Sequence, residues 1–509
     1  MEIDDKNSDK DNVNNNKIKQ PEKSIAKNSI FFLIYNVLNV IFPFVTGIYV
    51  ARILLPESIG QVAYAQNIAQ YFVILAFLGI PTYGLREISK ARKNKEDLNN
   101  VFSELFFLNL ISTIIFTVIY LVLIFSVSEF RDFYQLYLIT GLAIAFNALD
   151  ISWLYEGLEE FKFISIRNLI FKVVSFVLLF IFVRKPEDYY IYALITVAGT
   201  VGNNLINIIF SKKFIKLRVR NINIKRHLKP VMMLVVVNLA IEVYTLVDTT
   251  MLGAFCPKEN VAYYSYGSKI NKIFLQVVNT FTMVIVPRIT LYYQEKKFDE
   301  FNSLLTQTLK VVLVLSIPLI IGIQFVSEFF ICKIYGEVYL SSAYVLRILS
   351  AVLLISPIGY LLGSRVVLTV GKEWKMIISV GVGAIVNVIG NIILIPRYQE
   401  YGAAIASVLG EIVVMIIYLC FGSKYFRLKR FWDTAVKTII AGGVMGGYLY
   451  GASFIPLNGW FVFAIQFVGA VIVYFGLLLL FKERLILDTI IKFKNKIFKK
   501  QTAKISEEN

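Results

Sequence analysis

Apolar runs of about 20 residues recur along almost the whole of this 509-residue chain, and that recurrence leaves few folds open. A bilayer core of ~30 Å is crossed by about 20 residues of helix. Inside lipid a backbone must bond to itself, so only helices and closed barrels can span it. Barrel strands alternate apolar and polar residues over about ten positions, whereas these runs are continuously apolar. The chain is therefore predicted to be an all-α integral membrane protein with about 14 transmembrane helices, at 28–53, 60–81, 101–126, 134–157, 164–184, 188–210, 230–255, 261–287, 303–327, 340–367, 374–395, 402–423, 434–454 and 459–481. A hydrophobic share of 57% against 17% charged residues excludes an ordinary water-soluble protein.

The net charge of +17 could suggest nucleic acid, but its distribution argues otherwise. With both termini cytoplasmic, most Lys and Arg fall in the tails and inward loops, as the positive-inside rule requires. The runs KARKNK (90–95), KKFIKLRVR (212–220), KYFRLKR (424–430) and KFKNKIFKK (492–500) all land on that side. They read as topology signals and contacts to anionic membrane lipids, with no nucleic-acid partner. The polar residues 1–27 are predicted to be a disordered cytoplasmic tail without signal-peptide organisation, and 482–509 a basic one. Cys256, Cys332 and Cys420 give neither a disulfide framework nor metal spacing, and His227, the sole histidine, is expected to be solvated in a basic loop.

Weak internal matches share one order. VAY at 62–64 returns at 261–263, EFKFI (160–164) as EWKMI (373–377), and YIYALITVAG (190–199) as YGAAIASVLG (401–410). Pro81 and Pro287 each close a second helix. The expected organisation is two parallel six-helix lobes, 28–210 and 230–423, joined by a basic linker at 211–229, with an added helix pair within 424–481. Repeats related by an axis along the membrane normal suit rocking about a central site, hence alternating access. Pro43, Pro318 and Pro357 lie inside spans and could kink them.

The sequence has no GxxxxGK[ST] phosphate loop, no visible Ser/His/Asp or Cys/His constellation and no long loop for a catalytic domain. A non-enzymatic protein with no catalytic or metal-binding residues and no cofactor is expected.

ARILLPESIGQVAYAQ (51–66) with LGIPTYGLREISKAR (78–92), and GAIVNVIGNIILIPRYQEYGAAIASVLGE (383–411), resemble the oligosaccharide flippases (Wzx-like) of the polysaccharide transport branch of the MATE-like (MOP) superfamily. Leu55 and Ile59 depart from the family pattern, where a glycine and an aromatic are common. The resemblance implies a flippase that moves a lipid-linked oligosaccharide of the undecaprenyl diphosphate type from the cytoplasmic to the outer leaflet, for capsular, O-antigen or other surface polysaccharide. It also implies polysaccharide polymerase machinery as a partner and a cavity lined by helices 1, 2, 7 and 8. A lipid II flippase or a cation-coupled multidrug exporter of the same superfamily is the alternative.

Charges inside spans are costly and mark function by default. Lys269 and Lys272 share one face of helix 8, the first ~12 Å below its outer end. Counting from the shared outer loop sets Asp248 level with Lys269 and Glu242 with Lys272, so two ion pairs are expected. The lysines would attract the diphosphate, while the carboxylates would bind sugar hydroxyls or a coupling proton or sodium ion. Arg86 and Arg288 follow Pro81 and Pro287 and could receive the diphosphate, and Arg52 could face the cavity or snorkel. Asn36, Asn39, Gln66, Asn67 and Gln70 give helices 1 and 2 an amide strip suited to sugar hydroxyls. Tyr64, Tyr263, Tyr264 and Tyr266 could stack on sugars or join an interfacial belt. Asp150 with Lys172, and Arg347 with Glu411, are expected to pair structurally. Glycines four apart in AGGVMGGYLYGAS (441–453) suit close helix packing, or a groove for a lipid tail.

Overall fold

The computed structural model describes residues 41–219, 222–372, 374–428, 431–454 and 459–487, all helices, turns and loops. The chain divides into two compact units, Met1–Leu246 and Val247–Asn509. Residues 1–40, with Asn36 and Asn39, and 488–509 lie outside the described residues, whereas the start of the expected basic tail is described and buries Glu483, which accepts from Thr434 at 2.9 Å.

The first unit runs α1 (Ile41–Ile53), α2 (Pro56–Phe77), α3 (Ile80–Ala91), α4 (Lys95–Ser126), α5 (Tyr134–Ala145), α6 (Ser152–Gly157), α7 (Phe161–Phe182) and α8 (Tyr189–Ser211). The helix α9 (Lys225–Phe255) begins in this unit and ends in the second. The second unit continues with α10 (Lys258–Val284), α11 (Val286–Gln294), α12 (Phe298–Tyr335), α13 (Leu340–Leu349), α14 (Val352–Gly359), α15 (Val366–Thr369) and α16 (Trp374–Gly422). It closes with α17 (Phe431–Ser453) and α18 (Trp460–Leu480).

Among the described residues ten segments are long and apolar enough to cross a membrane. One of them, Trp374–Tyr425, holds two of the spans expected from sequence, because α16 folds back at Gln399, whose φ is 49°. The shorter apolar α1, together with α9 and α17, falls outside the ten, so the segments are compatible with fourteen crossings.

The two units break their helices in matching places. In each, a long second helix hands over to a short one with proline in its first turn, Pro81 in α3 and Pro287 in α11. Proline fits there because that N–H has no helical partner. A single long helix follows, α4 or α12, and then an interrupted crossing. That crossing carries the 3-10 turn Asn147–Leu149 in the first unit and the π-helical turn Tyr360–Arg365 in the second, three residues past Pro357. Gly363 is required in the π turn, since a Cβ there would sit 2.0 Å from the Cβ of Tyr418.

Aromatic packing holds the first unit. Phe102 of α4 stacks on Trp153 of α6 with ring centroids 5.5 Å apart, and Tyr120 of α4 donates to the carbonyl of Tyr137 in α5. In the second, α17 and α18 pack on α12 through Met445, Leu449, Tyr474 and Leu478. Of the four-spaced glycines, Gly442 faces α12, where a Cβ would meet Ile317 and Ile321 at 2.7 Å, while Gly443, Gly447 and Gly451 face open space. Close packing therefore explains one side of that motif.

His227 is not solvated. It is buried beside Glu104 of α4, its Nε2 2.8 Å from Glu104 Oε2 and its Nδ1 3.0 Å from the hydroxyl of Tyr83. The basic linker folds back onto α4, which removes the ring from water.

Candidate functional site

Asp248 is the centre of the most polar packing inside the second unit. It lies on α9, and only 5% of it is exposed. Its Oδ1 accepts from Asn391 Nδ2 at 2.7 Å and Asn387 Nδ2 at 3.0 Å, both on α16. Its Oδ2 accepts from the Tyr264 hydroxyl of α10 at 2.5 Å and from Ser407 Oγ beyond the fold of α16. Tyr264 and Ser407 are 3.1 Å apart, and Asn391 also reaches Asn387 Oδ1 at 3.3 Å. Four neutral donors thus converge on one buried carboxylate.

The local reasons are simple. Asn387 and Asn391 are four apart and so share one face of a helix. The fold at Gln399 returns Ser407 to the same level, and residues 402–406 are small enough (Gly-Ala-Ala-Ile-Ala) for the two arms of α16 to touch. A Cβ on Gly402 would lie 2.5 Å from the Leu394 carbonyl oxygen.

This geometry changes the expected pairing. Among the described residues no ion pair joins Asp248 to Lys269; the carboxylate is taken up by Asn387 and Asn391 of α16. Lys269 is half-buried, with Nζ 6.0 Å from the centroid of Tyr266, and Lys272 is exposed. Glu242 is half-buried and accepts from Thr245 Oγ1 at 3.2 Å.

In the first unit Gln66 of α2 donates to Thr196 of α8 at 3.1 Å, and buried Asn67 donates to the Leu246 carbonyl at 3.1 Å. Gln70, Arg52 and Arg86 are exposed there, as is Arg288 in the second unit.

Other expectations are corrected by packing. Tyr264 serves Asp248, and Tyr266 is buried against Tyr335 and Tyr339, at 4.4 and 5.0 Å between centroids. Arg347 pairs with Glu328 of α12 at 2.7 Å instead of Glu411, and also donates to Ser327. Asp150 accepts from its neighbour Ser152.

Tyr264, Asn387, Asn391 and Ser407 were not assigned to Asp248 from sequence. The available signal was two amides four apart in an apolar span, followed by a third polar residue after a proline-marked fold. A separate cavity of ≈ 390 Å³ lies between α10, α12, α13, α17 and α18, lined by Phe274, Pro318, Phe330, Met445, Phe463 and Tyr474 among others.

Interrupted membrane helices, matching helix breaks in the two units and a buried carboxylate held by neutral donors fit a multi-pass membrane transporter fold. Residues 25–292 match the model of the family described as "Polysaccharide biosynthesis protein", and residues 234–393 match that of the MatE family. The chain belongs to the polysaccharide biosynthesis protein family.

It is similar to the "Putative O-antigen transporter" of Shigella dysenteriae, 23% identical over 78% of this chain and 99% of that one. The capsular polysaccharide biosynthesis protein CapF of Staphylococcus aureus is 21% identical over 79% of this chain and the whole of its own. The solved fold of a lipid II flippase MurJ, in an inward closed conformation, superposes with a TM-score of 0.70 at 18% identity, covering 91% of this chain and all of that one.

Proposed function

We propose that this protein is a non-enzymatic flippase. It carries a polyprenyl-diphosphate-linked oligosaccharide repeat unit from the cytoplasmic to the outer leaflet by alternating access, for surface polysaccharide assembly. The observation that carries the reading is the pair Lys269 and Lys272 on α10. Both are cations in a membrane-crossing segment, and the first stays half-buried with an aromatic ring as its recorded neighbour. Held in a low-dielectric span, they suit a diphosphate. Membership in the polysaccharide biosynthesis family and similarity to O-antigen and capsule proteins support an oligosaccharide cargo.

Arg86 and Arg288 are exposed and suit a first encounter with the diphosphate at the inner surface, with both termini cytoplasmic. Arg52, Glu242, Gln66, Asn67 and Gln70 are assigned to the pathway, the amides matching sugar hydroxyls. The apolar cavity beside α17 and α18 suits a stretch of the prenyl tail, since its lining is almost wholly hydrocarbon. Asp248 is the coupling residue in this reading, binding a proton or a sodium ion. Its oxygens converge on four hydrogen-bond donors, and a cation would replace some of them.

The test is mass spectrometry of lipid-linked glycans in a deletion strain, with a membrane-impermeant glycosidase to report the leaflet. Accumulation of a protected diphosphate-linked oligosaccharide supports the reading. A second reading, transport of lipid II, is favoured by the MurJ-like fold. Accumulation of lipid II instead would select it.

A further inference from the structure

The linker between α8 and α9 is not a loose tether, because α4 offers it a ladder of acceptors. Asn99 Oδ1 accepts from the backbone N–H of Lys216 at 2.8 Å, and Ser103 Oγ from that of Arg218 at 2.9 Å. The spacing fits: two residues of extended chain advance about 6.6 Å and four of helix about 6 Å. Ser103 sends its own proton to the Asn99 carbonyl, 2.7 Å away, which leaves its lone pairs for the linker.

Further along, buried Glu104 accepts from the N–H of Asn223 at 3.0 Å, from Arg226 Nε at 2.8 Å and from His227. The Arg218 guanidinium reaches Glu96 and Asn100, each at 2.9 Å, and Ile215 is buried in the core beside α4.

Docking by backbone N–H groups leaves some of the linker's side chains facing outward, while Ile215 and Arg218 turn to the first unit. Leu217 and Val219, two apart and so on one side of an extended chain, are 47% and 73% exposed. Lys212, Lys213 and Lys216 are exposed around them, and residues 211–229 contain no acidic side chain. Lys213 Nζ also sits 5.6 Å from the centroid of Phe210 and 5.7 Å from that of Phe214. An apolar pair ringed by lysines, at the membrane end of α4 and α8, has the chemistry of the interface between headgroups and acyl chains.

We propose that residues 212–219, held in place by Asn99, Ser103 and Glu104, form a preorganised binding surface for anionic phospholipid headgroups. Leu217 and Val219 enter the interface, and Lys212, Lys213 and Lys216 meet the phosphates. The surface is independent of the transported cargo, so its test does not depend on the flippase reading.

The full chain, with Cys256, Cys332 and Cys420 replaced by serine, carries Val219→Cys labelled with bimane. It is placed in nanodiscs of phosphatidylcholine alone or with about 40% phosphatidylglycerol, and iodide quenching is measured. Quenching is expected to fall about twofold or more with the anionic lipid, and the difference to vanish near 1 M salt, where the Debye length is ~3 Å. Equal quenching in both discs overturns the proposal, and protection by inorganic phosphate in discs without anionic lipid overturns the lipid assignment.

Lys212→Gln/Lys213→Gln/Lys216→Gln, on the solvent side, is expected to abolish the lipid dependence; its persistence counts against these contacts. Glu104→Gln with Ser103→Ala is expected to weaken the dependence by freeing the strap. Undiminished protection in that variant overturns the role of docking, and the lysine variant keeps the rest testable if it does not fold.

Discussion

The two units share an order of helices and differ in what their interiors hold. Where the second unit buries a carboxylate under Asn387, Asn391, Tyr264 and Ser407, the first joins its second and sixth crossings by a neutral bond, Gln66 to Thr196. They differ again at the break after the second helix. The first unit uses two left-handed residues, Leu78 and Gly79, with φ of 51° and 73°, whereas the second passes through Ile285 in ordinary helical geometry. The units thus differ in what meets a buried carboxylate, neutral donors at Asp248 in the second against Arg226 and His227 at Glu104 in the first, and in the sharpness of the backbone turn. In the proposed reading coupling is placed on Asp248 of the second unit, whereas the buried carboxylate of the first, Glu104, is taken up by Arg226, His227 and the linker backbone.

The largest effect is expected from the lysine pair of the second unit. Lys269→Ala with Lys272→Ala should abolish translocation, read as loss of outer-face glycan, while the chain still inserts; normal polymer export by this variant would sink the assignment. Next comes Asp248→Asn, which keeps size but removes the charge. Charge-assisted bonds are worth about 1.5–3 kcal/mol each, so transport should fall roughly 10- to 100-fold, and its dependence on pH or sodium should disappear. An unchanged ion dependence would move coupling away from Asp248 and erase the main contrast between the units.

Much of the fold could be read from sequence because span length and charge bias act locally. The prolines Pro81 and Pro287 were visible as helix closers, and both begin short helices in the structure. What could not be read was orientation about a helix axis. Counting residues along a helix gives Asp248 a depth, yet depth does not say which neighbour a side chain meets. Its partners lie 139, 143 and 159 residues away on a helix that doubles back, and only the folded chain brings them together. His227 failed for the same reason, since a basic loop reads as solvated until a buried acid on another element is known. Arg347 was given a partner on the wrong helix, Glu411 in place of Glu328.

The backbone contrast can be broken at Gly79. A Cβ there would lie 2.7 Å from the Cβ of Leu234, and the residue would also have to hold a left-handed conformation. Overpacking costs about 1–3 kcal/mol and left-handed geometry about 1–2. Gly79→Ala should therefore destabilise the protein by about 2–5 kcal/mol, seen as a lower melting temperature in detergent. Alanine at Ile285, in helical geometry and without left-handed strain, should cost only its lost side-chain burial. A melting temperature left unchanged by Gly79→Ala would mean that the sharper turn is not what the first unit depends on.

The smallest expected effect sharpens the interior contrast. Gln66→Ala removes one neutral bond between α2 and α8, a class of contact worth about 1 kcal/mol or less between membrane helices. Thr196 keeps its bonds to the carbonyls of Tyr192 and Ala193, so no buried donor is stranded. Transport should then change by no more than about fivefold, the equivalent of ~1 kcal/mol, with its ion dependence intact. A loss as large as that of Asp248→Asn would show that the amide acts on the cargo itself. The first unit would then have to be counted as a chemical half of the transporter rather than a neutral counterpart.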